Sequence, residues 1–353
     1  MIDRAERLLR ACRREPVDRT PVWFMRQAGR SLPEYRRIRE RARLTDIVAD
    51  AALCAEVTLQ PVTRLGVDAA IVFADITTPL PGIGVAVDLV DGVGPVIADP
   101  IGQASDLDRF RPFDAQASVG PLLEAIGLIR HASPVPVIGF AGAPFTLAAY
   151  LVEGRSPRDL ERTKALMHEE PAVWDRLLAR IVDMDLAYLT AQAEAGAQAL
   201  QVFDSWVGQL SPFDYRSSVL PHVRRLFQGL EALGQPTIHF GTGAAGLLAL
   251  MAEAGGDVIG LDWRIALSEG WAKVPGRAVQ GNLDPQAVLG SWAETERQAR
   301  WVLDEAGSRP GHIFNLGHGA LPPTDPDQLR RLVDLVHETT ERSVEPALKG
   351  SVG

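Results

Sequence analysis

TPVWFMRQAGRSLPEYRR, residues 20–37, opens on an apolar run and turns abruptly basic. The run PVWFMRQ (21–27) reads as a buried strand, being short, bulky and without helical spacing. Arg26, Arg30, Arg36 and Arg37 then crowd together, relieved only by Glu34. Charge of that density belongs at the exposed end of a strand. Working outward, DAAIVFAD (68–75), PVIGFAG (136–142), AQALQVFDS (197–205), PTIHFGTG (236–243), DVIGLDW (257–263), AVQGNL (278–283) and HIFNLGHG (312–319) are further β-rich runs, which makes eight. Helix-like stretches separate them, clearest over 171–196, closing on Gly196 as a helix C-terminus favours, and over 325–343. Eightfold strand–helix alternation predicts an α/β chain folded as one (β/α)8 TIM barrel across residues 1–353. A doubly wound sheet would want a G-x-G-x-x-G after an early strand, and none stands there. Residues 79–100, two apolar runs around Asp91-Gly92, predict a β-hairpin inserted near the barrel mouth, and residues 349–353 a frayed tail.

With 353 residues, 46% of them apolar, and a formal net charge of −9, the chain has the composition of a soluble globular protein. An acidic balance argues against nucleic acid or an anionic membrane as partner, because both demand a broad basic face. Two cysteines, Cys12 and Cys54, are too few for a disulfide framework, and the charged N-terminus lacks a signal-peptide core, so a reducing, cytoplasmic setting is expected.

Barrel chemistry sits where strands end. Arg26 and Gln27 end the first predicted strand, Asp75 the second, Asp204 and Ser205 the fourth, Asp262 the sixth and His318 the eighth, with Tyr150 just beyond the third. Glycines on both sides of His318 suggest close backbone approach to a ligand. Asp204 and Asp262 read as carboxylates bonding loops behind the site, and His239 as a core histidine.

Six ordered stretches carry a family resemblance: PVWFMRQAGR (21–30), FAD (73–75), GFAGAPFTLAAY (139–150), FDSW (203–206), QGNLDP (280–285) and FNLGHG (314–319). Together they resemble the uroporphyrinogen decarboxylase family. The resemblance implies a distorted barrel, a homodimer, and removal of CO2 from the four acetate arms of uroporphyrinogen III to give coproporphyrinogen III in haem biosynthesis, with neither metal nor organic cofactor. It implies substrate contacts from Arg26, Gln27, Ala28, Gly29, Arg30, Asp75, Tyr150, Ser205 and His318, with Asp75 and Arg26 in the chemistry. Ala74 departs from the pattern, standing where a serine commonly precedes the aspartate, and some members differ at Ser205.

Residue chemistry fits that implication. A net-acidic protein can hold a polycarboxylate only by concentrating guanidinium groups, which pair with carboxylates bidentately. Of the seven arginines from Arg26 to Arg43, Arg26 and Arg30 are assigned to the site and the rest to a solvated helix face. Asp75, an acid in an anion pocket, makes sense facing pyrrole N–H groups, where it opposes the positive charge that develops when the ring is protonated; otherwise it caps a turn. The proton donor stays open between Asp75 and a water ordered by Arg26. Two other functions compete. A zinc-dependent methyltransferase on the same barrel needs thiolate ligands at strand ends, where neither cysteine is expected. A non-catalytic tetrapyrrole carrier has little use for Asp75.

Overall fold

The computed structural model describes residues 2–157 and 159–343, so the tail expected at 349–353 lies outside the described residues. Its strands are β1 (Ala70–Ile71), β2 (Val87–Val90), β3 (Gly94–Ile97), β4 (Val137–Gly142), β5 (Ala199–Asp204), β6 (Thr237–Gly241), β7 (Val258–Gly260), β8 (Ala278–Gln280) and β9 (His312–Ile313). β1 and β4 to β9 form one sheet, neighbours in chain order and every pairing parallel. Helices follow the strands and bury the sheet's outer face, as in the 24-residue helix Pro171–Glu194, whose Leu177, Leu178, Ile181 and Val182 are fully buried. Each such side chain contributes about 1.5–3 kcal/mol on leaving water.

The sheet closes on the stretch quoted first. Val22 pairs in parallel with Phe314. Phe314 N donates to Pro21 O (2.9 Å) on one side, and Asp68 N to Val22 O (2.7 Å) on the other, which joins β9 to β1 through an eighth stave. The result is a (β/α)8 barrel. Its interior is packed, and partly polar: Trp23 Nε1 donates to Gln280 Oε1 (3.0 Å) and Gln280 Nε2 to Gln201 Oε1 (3.3 Å). β5 and β8 are not neighbours, so these bonds cross the barrel.

That eighth stave is shorter than the strand read over 21–27. Its extended course ends at Phe24, and Arg26 takes a left-handed backbone (φ 59°). Side chains replace the missing ladder. Gln27 Oε1 accepts from Phe24 N (3.0 Å), Gln27 Nε2 donates to Ala69 O (2.9 Å), and Asn315 Oδ1 accepts from Met25 N (3.1 Å). The apolar run is thus a strand for half its length and a stitched turn thereafter.

Within 79–100 a short 3₁₀ turn, Leu80–Ile83, leads into the antiparallel pair β2–β3, with Val87 opposite Ile97. Gly92 and Gly94 supply the positive φ its turn requires. Arg39, on helix Pro33–Arg39, pairs with Asp91 at the hairpin tip.

Beneath the barrel, Arg7 is 5% exposed and bonds two buried carboxylates: Nε to Asp18 Oδ1 (2.9 Å) and Nη1 to Asp68 Oδ1 (2.6 Å). Asp68 Oδ2 also accepts from Val22 N (2.8 Å) and meets His337 Nε2 (2.7 Å). Removing the guanidinium leaves two buried acids in its place. Arg7→Met is therefore expected to cost about 3–5 kcal/mol by urea denaturation; a loss below about 1 kcal/mol would show that the clasp carries no weight.

Acid should unfold the protein in two stages. Burial pushes the imidazoles of His239 and His312 down to about 4, so between the ordinary 6.5 and about 4 only the unfolded chain binds these protons. Stability must fall as pH drops through that window. Asp18 and Asp68 are held below the ordinary 3.8 although burial opposes it, by bonds to Arg7 and to His337 respectively. Their contribution disappears only at lower pH. Denaturation midpoints that stay level from pH 6.5 to 4 would contradict the first stage.

Candidate active site

At the C-terminal ends of the staves lies a cavity of about 630 Å³, in the range that takes a small molecule. Met25, Ile71, Val72, Phe73, Phe140 and Phe203 give it an apolar floor, and Val93, Gly94 and Pro95 of the hairpin flank it. Phe140 and Phe203 meet edge to face at 5.5 Å, with Phe240 behind Phe203 at 6.1 Å.

Arg26 and Arg30 both line the cavity and are exposed. Neither side chain forms a hydrogen bond or ion pair among the described residues. The later arginines are otherwise engaged: Arg36 donates to the carbonyls of Arg30 and Ser31, Arg39 pairs with Asp91, and Arg43 with Asp46. Arg37 and Arg41 do not line the cavity, which leaves Arg26 and Arg30 as the guanidiniums placed to meet an anion there.

Asp75 lines the same cavity. Its Oδ1 accepts from Thr77 N (2.9 Å) and Thr77 Oγ1 (2.6 Å), and its own N–H donates to Thr78 Oγ1 (3.1 Å). Asp75 thus caps a turn and also presents a carboxylate: one oxygen is claimed by the turn, and Oδ2 has no hydrogen bond among the described residues. The turn fixes its direction in advance.

Tyr150, Ser205, His318, Ala28 and Gly29 also line the cavity. Burial raises the Tyr150 phenol above its ordinary 10, with Ser156 pulling it down, Asp75 adding and Arg26 subtracting. Burial, then the charges of Arg26 and Arg264, push His318 down to about 4. It is a neutral imidazole at pH 7. Gly319 N donates to its Nδ1 (2.7 Å), which leaves the proton on Nε2 as a donor.

Gln27 does not join them. It is fully buried, with both ends of its amide consumed by Phe24 and Ala69, so it shapes the loop that carries Arg26. The glycines beside His318 also serve the chain itself: a Cβ at Gly317 would collide with the Trp263 backbone, and one at Gly319 with the Arg26 side chain. Sequence reasoning missed Phe140, Phe203, Trp206 and Thr242, which line the cavity at the ends of β4, β5 and β6. Their signal was available in the aromatics that cluster at adjacent strand ends.

A family model described as Uroporphyrinogen decarboxylase (URO-D) matches residues 3–339. This chain belongs to the uroporphyrinogen decarboxylase family. Among its relatives, a uroporphyrinogen decarboxylase of Streptomyces coelicolor is 54% identical over 336 residues, covering 95% of this chain and 94% of that protein. One of Thermus thermophilus is 53% identical over 331 residues, covering 94% and 97%. Among solved structures, a methyltransferase from Methanosarcina mazei superposes with a TM-score of 0.82 at 20% identity, over 96% of this chain and 99% of that one. That likeness is one of fold. In this family member the cysteines are not placed for thiolate chemistry: neither lines the cavity, and burial pushes both Cys12 and Cys54 up to about 12. Among the described residues no group of three His, Cys, Asp or Glu is arranged to hold a metal ion.

The two glycines beside His318 should respond differently to a single methyl group. Gly317→Ala meets rigid backbone and should lower the urea midpoint, at a cost of about 1–3 kcal/mol. Gly319→Ala meets only the flexible stem of Arg26 and should fold with near-normal stability while weakening anionic ligand binding about tenfold. Normal binding by a folded Gly319→Ala protein would show that Arg26 need not stand where it does.

Proposed function

We propose that this chain is a uroporphyrinogen decarboxylase that removes the four acetate carboxyls as CO2, working in the cytoplasm as a homodimer. The observation that carries the reading is the charge pattern of the cavity: two guanidiniums, unpaired among the described residues, line it, and one acid, held by its turn, stands over an apolar floor. Arg26 and Arg30 pair with carboxylate arms at the mouth; Tyr150 O–H, Ser205 O–H and His318 Nε2–H are neutral donors to others. Asp75 Oδ2 accepts from pyrrole N–H groups.

In the reaction, a proton adds to the ring carbon beside the acetate-bearing carbon. The methylene–carboxyl bond then breaks, its electron pair flows into the cationic ring, and CO2 leaves. The methylene takes a proton while the ring carbon gives one up, so each arm consumes one proton in total. Positive charge on the pyrrole nitrogen is greatest before that bond breaks, and Asp75 opposes it with a charge already in place. Such groups stabilise a transition state by several kcal/mol because nothing must reorient. The proton comes from a water held by Arg26: a guanidinium is itself too weak an acid, and an Asp75 that opposes the ring's charge has no proton to give. Two buried, unpaired cysteines suit a reducing compartment. Phe213, 78% exposed on the helix that follows β5, is the apolar side chain a second copy would cover.

Asp75→Asn tests the assignment. The variant keeps its turn only by offering its amide oxygen to Thr77, which leaves an NH2 group against the pyrrole donors. Binding should weaken, and single-turnover decarboxylation of anaerobically prepared uroporphyrinogen at saturation should slow about 100-fold or more. Near-normal single-turnover rates would remove Asp75 from the chemistry.

A further inference from the structure

Asp204 is the last residue of β5, one position before Ser205 and two before Trp206 on the cavity wall. Its side chain is fully buried. Oδ1 accepts from Thr146 Oγ1 (2.8 Å), and that hydroxyl in turn accepts from Trp206 N (3.2 Å). The Asp204 carbonyl accepts from Thr242 N (3.4 Å), and Thr242 lines the cavity as well. Among the described residues Oδ2 has no hydrogen-bond partner, and neither has the buried hydroxyl of Tyr215. Among the described residues no cation pairs with this carboxyl group. Burial first, against the opposing Thr146 bond, pushes it up to about 7. The titratable neighbour is Tyr215, on helix Pro212–Ser218, itself raised by burial, by Asp204 and by Glu253.

We propose that Asp204 is a positioning residue that couples binding of the polyanionic substrate to its own charge state, acting through Thr146 and the wall formed by Ser205, Trp206 and Thr242. This rests on the decarboxylase reading. As the neutral acid it braces the wall without charge. As the anion it places an uncompensated negative charge behind the surface where carboxylate arms dock, and in a low-dielectric interior that repulsion is poorly screened. Substrate therefore binds the neutral form better and favours proton uptake at Asp204. Two neutral donors of the cavity titrate outside this window: His318 charges only near 4, and Tyr150 ionises above its ordinary 10.

The test is the pH dependence of KM for anaerobically prepared uroporphyrinogen. From about pH 6 to about pH 8.5 the wild-type KM should rise at least about threefold. Asp204→Asn, a mimic of the neutral form, should hold the low-pH value throughout and so bind more tightly than wild type at the alkaline end. Thr146→Val removes the bond that lowers the Asp204 pKa and should move the inflection to higher pH; Thr146→Ser should restore it. A purely structural Asp204 would give uniformly weaker binding in Asp204→Asn, and that result, or a KM profile unchanged from wild type, overturns the proposal. An infrared titration reads the same group without turnover. A protonated-carboxyl band should vanish in wild type as pH rises through about 7 and be missing in Asp204→Asn, which separates it from any band of Asp185, also buried without a hydrogen-bond partner among the described residues and raised well above 3.8. Absence of the titrating band in wild type sinks this inference alone; its presence in a protein that never decarboxylates would sink the proposed function instead.

Discussion

One carboxylate, Asp68, holds donors from three parts of the chain: Arg7 on the first helix, Val22 N on the closing stave, and His337 on the last helix. Buried charge of this kind is costly unless every lone pair is used, and here both oxygens are. The geometry matters because the closing stave has little ladder of its own. Between β9 and β1 it is secured by a few backbone bonds and then by side chains from Asp68, Gln27 and Asn315. The position of Arg26 above follows from these supports.

The mouth resolves a conflict of charge. A chain of net charge −9 repels a polycarboxylate at long range, and screening limits that repulsion to about 8–10 Å. Inside that distance only local charge counts, and locally two guanidiniums stand unpaired. Asp75 is tolerated there because Thr77 engages one of its oxygens, while the other has no hydrogen bond among the described residues.

Much of this was legible beforehand. Residues 136–142, 197–205 and 236–243 read as strands because continuous apolar β-rich runs have no other good use in a chain of this type, and the barrel followed from counting them. The stave at 21–27 read too long because Met25 and Arg26 carry no glycine, proline or asparagine to announce the turn; the turn depends on Gln27 finding Ala69, a contact across the fold. The same contact removed Gln27 from the cavity. The glycines beside His318 read as a close approach to a ligand, whereas the neighbours they approach in the structure are Trp263 and Arg26, which local sequence does not name. Asp204 could be placed behind the wall, though not recognised as unbalanced: that depends on which atoms fail to reach it.

Asp68 and His337 lie 269 positions apart, and Val22 finds Phe314 across a similar span. Such pairings come late, because the loop they close must be ordered before they reward it. On a ribosome delivering about 5–20 residues per second, the first helix, the stave and the carboxylate beneath them emerge early. They then wait many seconds for the final helix. Throughout that interval the sheet has an open edge at the apolar stave, which lacks its neighbour β9. The barrel is therefore most exposed to aggregation during its own synthesis.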